Sequence, residues 1–263
     1  MIQYFIRRAC GNMFFQPRVM ICIPSGITEV EERAVIDAAR EAGAQKTYLI
    51  EEPVAAAIGA GLNIYAPIGN MVVDIGGGTT NIAVLTQNAV ATSASVGIGG
   101  DAFDDAIARY VRRKYGVVIG KVTAEEVKMQ IGSVSMRPEV VTMNIRGRDA
   151  KSGSPREIQL NSTELIEPLT RLARQIVDQV LAVLDETSPE LVGDIAGNGI
   201  VLTGGGSQLW GMDLYFMART EISCSLADDP DTCAARGCGM SLSWINHMNE
   251  GPINIARKRL MRG

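Results

Sequence analysis

Two glycine clusters, each ending an apolar run, are the residues of this chain best suited to chemistry. DIGGGTT occupies residues 74–80 and TGGGS occupies residues 203–207. Glycine lets backbone N–H groups converge on a phosphate without interference from a Cβ, and Thr79 and Thr80 add hydroxyl donors. Asp74 ends its strand with a carboxylate suited to holding a magnesium ion through water. Either cluster taken alone reads equally well as a tight turn that needs positive φ. Neither is a Walker A loop, because no G-K-[ST] follows. Neither fits the dinucleotide fingerprint, because the run after DIGGGTT reads as a second strand and not as a helix.

Other chemistries lack the residues to build them. His247 is the sole histidine, and Cys10, Cys22, Cys224, Cys233 and Cys238 form no C-x-x-C pair. A zinc site and a histidine-based triad are thereby excluded. The net charge of −4 argues against the basic face that a nucleic-acid partner requires. No apolar run reaches the roughly 20 residues of a membrane span, and the first residues lack a signal-type apolar core and cleavage site. The expectation is a cytoplasmic protein with reduced thiols. A 263-residue chain with 46% hydrophobic and 21% charged residues can bury one large core or two moderate ones.

The elements that must position these residues follow from periodicity. Ile2, Phe5, Ile6 and Ala9 share one face of a helix, followed by a short loop containing Phe14 and Phe15. Apolar runs predict strands at 18–23, 47–50, 71–74, 82–86, 89–96 and 199–203, with 74–80 as an open hairpin turn. Thr28 with Glu31 forms a capping box that opens a helix to about residue 42, and an alanine-rich helix follows Pro53. Further helices are expected up to Tyr115, from a second capping box at Thr123 and Glu126 to about 132, and from Asn161 or Ser162 to about 186. Leu165, Leu169, Leu172, Ile176, Val180 and Leu184 make the apolar stripe of that last helix. Half-buried strands at 140–145 and 157–160 flank a polar loop at 146–155, and a final helix at 231–247 is expected to break near Gly237–Gly239. Strands alternate with helices, so the class is α/β.

At this point the chain resembles a family. IPSGITEVEERAV, LIEEPVAAAIGAGL, NMVVDIGGGTTNIAV, VRRKYGVVIG, TAEEVKMQIGS and GIVLTGGGSQL look like segments of bacterial MreB, in its order and spacing and over almost the whole chain. The resemblance implies an actin-like ATPase fold, with ribonuclease H-like mixed sheets flanked by helices, binding ATP and Mg2+. It implies that Gly76, Gly77, Gly78 and Thr79 face the β- and γ-phosphates and that Asp74 faces the magnesium. Glu52 would orient the attacking water; its plain reading is a carboxylate in the first turn of a helix. Glu125, Glu126, Val127 and Lys128 would meet ribose and adenine, although Glu125 and Lys128 also read as a solvated helical ion pair. Gly205, Gly206, Ser207 and Gln208 would complete the adenosine pocket. Asn81 stands where the family commonly has Glu.

No Asp-Leu-Gly-Thr-type turn, the family's first phosphate motif, precedes the strand at 18–23. The resemblance therefore implies an N-terminally incomplete fold, with residues 1–97 as the remainder of a first lobe and 98–263 as a second lobe whose last helix packs back on the first. It also implies weak or absent hydrolysis even where nucleotide still binds. The function implied is a self-polymerising, membrane-associated filament that directs cell-wall elongation with RodZ, MreC and MreD. The alternatives are a hydrolysis-dead remnant or scaffold, and, ranked last, a sugar kinase or chaperone ATPase. Met13, Phe14 and Phe15 read either as a membrane-touching loop tip or as a satellite core.

Overall fold

The apolar runs become strands and the helically periodic stretches between them become helices in a computed structural model that describes residues 1–11 and 16–244. Met13, Phe14 and Phe15 lie outside the described residues. The chain begins with α1 (Ile2–Cys10), β1 (Arg18–Ile23), α2 (Glu29–Glu41), β2 (Lys46–Glu51) and α3 (Glu52–Gly59). A meander of β3 (Asn70–Ile75), β4 (Thr80–Thr86) and β5 (Ala89–Val96) leads into α4 (Gly100–Tyr115). Next come β6 (Val117–Val118), α5 (Lys121–Ile131), β7 (Thr142–Asp149), β8 (Pro155–Asn161) and the long α6 (Ser162–Asp185). The chain continues through α7 (Pro189–Asn198), β9 (Ile200–Thr203), α8 (Met212–Thr220), β10 (Cys224–Leu226) and α9 (Cys233–Trp244).

The central sheet has the order β10-β9-β3-β4-β5, in which β3 pairs parallel to β9 and antiparallel to β4. It is buried on both faces, which is why β3 and β4 read as continuous apolar runs. Period-two alternation sends Met71, Val73 and Ile75, with Ile82 and Val84, into one core with Phe103 and Ile107 of α4 and Leu165, Leu169 and Ile176 of α6. Val72, Ala83 and Leu85 join a second core with Val54, Ala55, Ala57 and Ile58 of α3. Each large side chain so buried contributes about 1.5–3 kcal/mol. Smaller sheets flank this one: β1 runs parallel to β2 through the α2 crossover, and β7 pairs with both β6 and β8. The central sheet joins residues before and after position 97, so the expected division there follows no break in the sheet.

Local signals that are complete in sequence produce the expected ends. Thr28 and Glu31 cap α2 reciprocally, and Asn161 and Glu164 do the same for α6. Three expectations fail. The Thr123–Glu126 capping box is not formed: α5 starts earlier, at Lys121, with Gly120 at its cap, so Thr123 is already inside the helix. Half of the polar loop at 146–155 is strand, because β7 and β8 remain paired as far as Arg148 and Pro155, with Arg146 bridging Glu157 on the exposed face. The last helix does not break at its glycines. It runs through them because its backbone lies directly on α3: a Cβ at Gly237 would fall 1.8 Å from the Ala55 carbonyl oxygen, and one at Gly59 would fall 1.8 Å from that of Cys233.

That contact gives a direct test. Gly59→Ala and Gly237→Ala each force the two backbones apart and are expected to lower unfolding free energy by about 3 kcal/mol in denaturant titration. Gly239→Ala, which faces open space in the same helix, should be neutral or stabilising by up to about 1 kcal/mol. Equal effects at all three positions would disprove the packing argument.

Candidate functional site

Because β3 and β9 run parallel, their C-terminal ends emerge side by side. Asp74 lies opposite Thr203 in the register, so the DIGGGTT and TGGGS turns leave the sheet from adjacent strands at one edge, where α/β sheets bind ligands. The two turns touch. Gly204 has φ +79° and so close an approach that a Cβ would fall 2.3 Å from the Ile75 carbonyl oxygen, while Gly206 packs against the Ile75 side chain. The tight-turn reading thus accounts for Gly204.

It does not account for the first turn. Gly76, Gly77 and Gly78 do not have positive φ, and a Cβ on Gly77 or Gly78 would meet nothing within 4 Å among the described residues. The Gly76 N–H closes the turn onto the Thr79 carbonyl at 2.9 Å. The carbonyls of Gly76 and Gly77 accept from the Gly100 and Asp101 N–H groups at 2.9 and 2.8 Å, satisfying two of the orphan donors that open α4. Among the described residues, the N–H groups of Gly77 and Gly78 donate to no other group, and Gly77, Gly78 and Thr79 are exposed. Neither backbone conformation nor packing among the described residues demands glycine at Gly77 or Gly78, which leaves the turn open to a group approaching from outside.

The carboxylates assemble on the α3 side of the sheet. Alternation places Asp74 on the same face as Val72, and Asn81 of β4 lies directly opposite Asp74. Thr203 Oγ1 donates to Asp74 Oδ1 at 2.8 Å, and Asn81 Nδ2 donates to Glu52 Oε2 at 2.8 Å. Asn81 Oδ1 is buried with no partner among the described residues. Glu52 is half-buried at the first position of α3, whereas the neighbouring Glu51 is buried elsewhere and accepts from Ser25 Oγ at 2.6 Å. Burial pushes the Asp74 carboxyl up to about 6, with the Thr203 hydrogen bond opposing this and the Glu52 charge adding to it.

The α5 residues divide by helical period. Ala124, Val127 and Ile131 face the core, so the Val127 side chain is fully buried. Lys128 pairs with Asp104 and not with Glu125. Its ammonium lies 2.9 Å from Asp104 Oδ1 and donates to the Gly100 carbonyl at 3.1 Å, tying α5 to the first turn of α4 just behind the glycine turn. Glu125 is exposed, and Glu126 lines a separate cavity of about 410 Å³ with Asn144, Arg146 and Glu157. In the second turn, the buried Ser207 hydroxyl donates to the Gly204 carbonyl at 2.6 Å, while Gly205 and Gln208 are exposed. Thr203 and Asp104 were not read as site residues in the sequence, and Asn81 was noted only as a departure from the family pattern. Thr203 directly precedes its glycines and was the one most open to being found.

A hairpin with an open glycine turn, lying beside a second glycine turn on a parallel strand, defines an actin-like fold. The double helical filament structure of MamK matches this fold with a TM-score of 0.76 at 19% identity, over 92% of this chain and 73% of that one. The model of the MreB/Mbl protein family matches residues 1–250. The cell shape-determining protein MreB of Escherichia coli K12 is 49% identical over 94% of this chain and 72% of its own length, and Mbl of Bacillus subtilis is 42% identical over 92% and 73%. MreB5 of Spiroplasma citri bound to ADP superposes with a TM-score of 0.88 at 35% identity, over the whole of this chain and 76% of that one. The chain belongs to the MreB/Mbl family.

The Asp74 environment has a measurable consequence. Its carboxyl is raised above the ordinary value of 3.8, so between about pH 4 and 6 the folded chain holds a proton that the unfolded chain has released. Stability therefore falls as pH rises through that window, and the full cost, about 3 kcal/mol for a shift of this size, is present above it. Asp74→Asn keeps the acceptor for Thr203 and removes the charge. It should raise unfolding free energy at pH 7 and lose that advantage near pH 4; a gain independent of pH would refute the assignment.

Proposed function

We propose that the chain is an ATP-binding, filament-forming actin-like subunit that helps maintain rod shape by directing cell-wall elongation. The observation that carries nucleotide binding is the exposed turn at Gly77 and Gly78, whose glycines serve neither φ nor packing and whose N–H groups are free to meet an anion. The solved relatives from Spiroplasma citri, crystallised with ADP and with AMPPNP, support the same reading. Phosphates sit at the 76–79 turn, and the adenosine lies toward Gly205, Gln208 and Glu125. Lys128, Ser207 and Gly206 brace the site from behind.

The donor set fits a hydrated magnesium ion. One oxygen of Asp74 is taken by Thr203, the other has no protein donor among the described residues, and the Asn81 amide oxygen is an orphaned acceptor beside it. Asp74 and Asn81 would hold the ion through its waters, and the ion would offset phosphate charge. Asn81 fixes Glu52 so that one carboxylate oxygen remains to orient a water.

Self-assembly into filaments comes with the actin-like family. Membrane association through Met13, Phe14 and Phe15, and work alongside RodZ, MreC and MreD, complete the proposal. Supporting the membrane contact, Tyr4 and Phe5 of the preceding α1 are exposed beside Arg7 and Arg8, a pairing of aromatics and cations suited to an anionic interface. No helix among the described residues is long and apolar enough to cross a membrane.

Gly77→Val places a branched side chain in space that only a ligand uses. It should leave the melting temperature unchanged and weaken fluorescent ADP binding at least about 10-fold, equivalent to 1.4 kcal/mol; unaltered affinity would sink the phosphate assignment. For the membrane, Phe14→Ala/Phe15→Ala should pellet markedly less with anionic liposomes than the unmodified chain, both verified as folded. Equal pelleting would return those rings to the protein interior.

A further inference from the structure

Cys22 lies on β1 and Cys238 on α9, 216 residues apart in sequence, yet their sulfurs stand 2.9 Å apart. We propose that this dithiol is a redox modification site, at which a peroxide converts Cys22 and Cys238 to an intramolecular disulfide that staples α9 to β1. A disulfide bond is about 2.05 Å long, so the sulfurs need to close by only about 0.9 Å. Both anchors are fixed independently: β1 by its register with β2, and α9 by the glycine contacts at Gly59 and Gly237. Both thiols are half-buried, open to a small neutral oxidant and screened from bulky thiols.

The hydrogen bond between the two sulfurs divides their roles. It raises the Cys22 thiol and lowers that of Cys238, although burial and the Glu52 charge push both upward. Either sulfur can donate in this contact, and the lowered Cys238 thiol is the one that attacks. Its sulfur takes one peroxide oxygen, the O–O bond breaks, and the leaving hydroxide is protonated to water. The Cys22 sulfur then displaces hydroxide from the Cys238 sulfenic acid, and that hydroxide takes the Cys22 proton as a second water. Two thiols lose two electrons, and one peroxide becomes two waters. The other cysteines have no such neighbour among the described residues, and burial raises Cys224 to about 11 and raises Cys233 as well.

The test is stoichiometric hydrogen peroxide treatment of the reduced full chain, followed by alkylation, non-reducing peptide mapping and thermal melting. Expected are a Cys22–Cys238 linked peptide, loss of two of the five thiols, and a melting temperature raised by several degrees through closure of so long a loop. Dithiothreitol should reverse all three. Cys22→Ser and Cys238→Ser should abolish both link and shift, while Cys10→Ser retains them. Peptide mapping of the unmodified sequence decides the matter even where a variant fails to fold. Irreversible oxidation of Cys238 without a link, links only between chains, or the same melting shift in Cys22→Ser would overturn the proposal.

Discussion

The parallel pairing of β3 with β9 is the constraint from which the site follows. It sets Asp74 against Thr203, makes two turns leave the sheet from neighbouring strands, and brings Gly204 against the Ile75 carbonyl. Parallel neighbours need a long crossover, here the whole stretch from β4 through α7. That crossover in turn supplies α4, whose opening N–H groups hold the first turn in shape, and α5, whose Lys128 pins the start of α4. The Asp74–Thr203 hydrogen bond and the Gly204–Ile75 contact both depend on those two strands lying next to each other.

Around that edge the protein accepts local cost. A carboxylate with an elevated proton affinity, an amide oxygen with no donor and an acidic neighbour are gathered where a core would prefer apolar groups. Buried polar atoms of this kind are tolerated when a ligand satisfies them, and they trade stability for a site organised before the ligand arrives. Thr203 and Asn81 limit the cost, each by one hydrogen bond that fixes a carboxylate's direction.

What the sequence made legible was local. The glycine turns, the capping boxes of α2 and α6 and the apolar stripe of α6 are patterns complete within a few residues. The second capping box was locally plausible and still wrong, because α5 had already begun at Lys121. α7, with Gly193 and Gly197, carries too weak a helical pattern to be read, and it forms because Ile195 is buried in the core. The site was legible as residue types but not as partnerships. Thr203 reaches Asp74 across 129 residues, Asn81 reaches Glu52 across 29, and Lys128 reaches Asp104 across 24. The Gly237–Gly239 segment reads as a breaker in isolation, and only the α3 backbone beneath Gly237 explains why glycine belongs at that position inside the helix.

The α3–α9 contact has a mechanical consequence. Helices separated by a layer of side chains can slide, because rotamers adjust between them. Here backbone meets backbone at both ends of the crossing, with no deformable layer to absorb a displacement. The pair moves as a single beam. Gly237 meets Ala55 and Cys233 meets Gly59, so the two helices run antiparallel, and Glu52 sits at the same end of that beam as the chain's final described turn. Neither helix can shift along the other without a backbone clash, so Glu52 keeps its place only as long as α9 keeps its own.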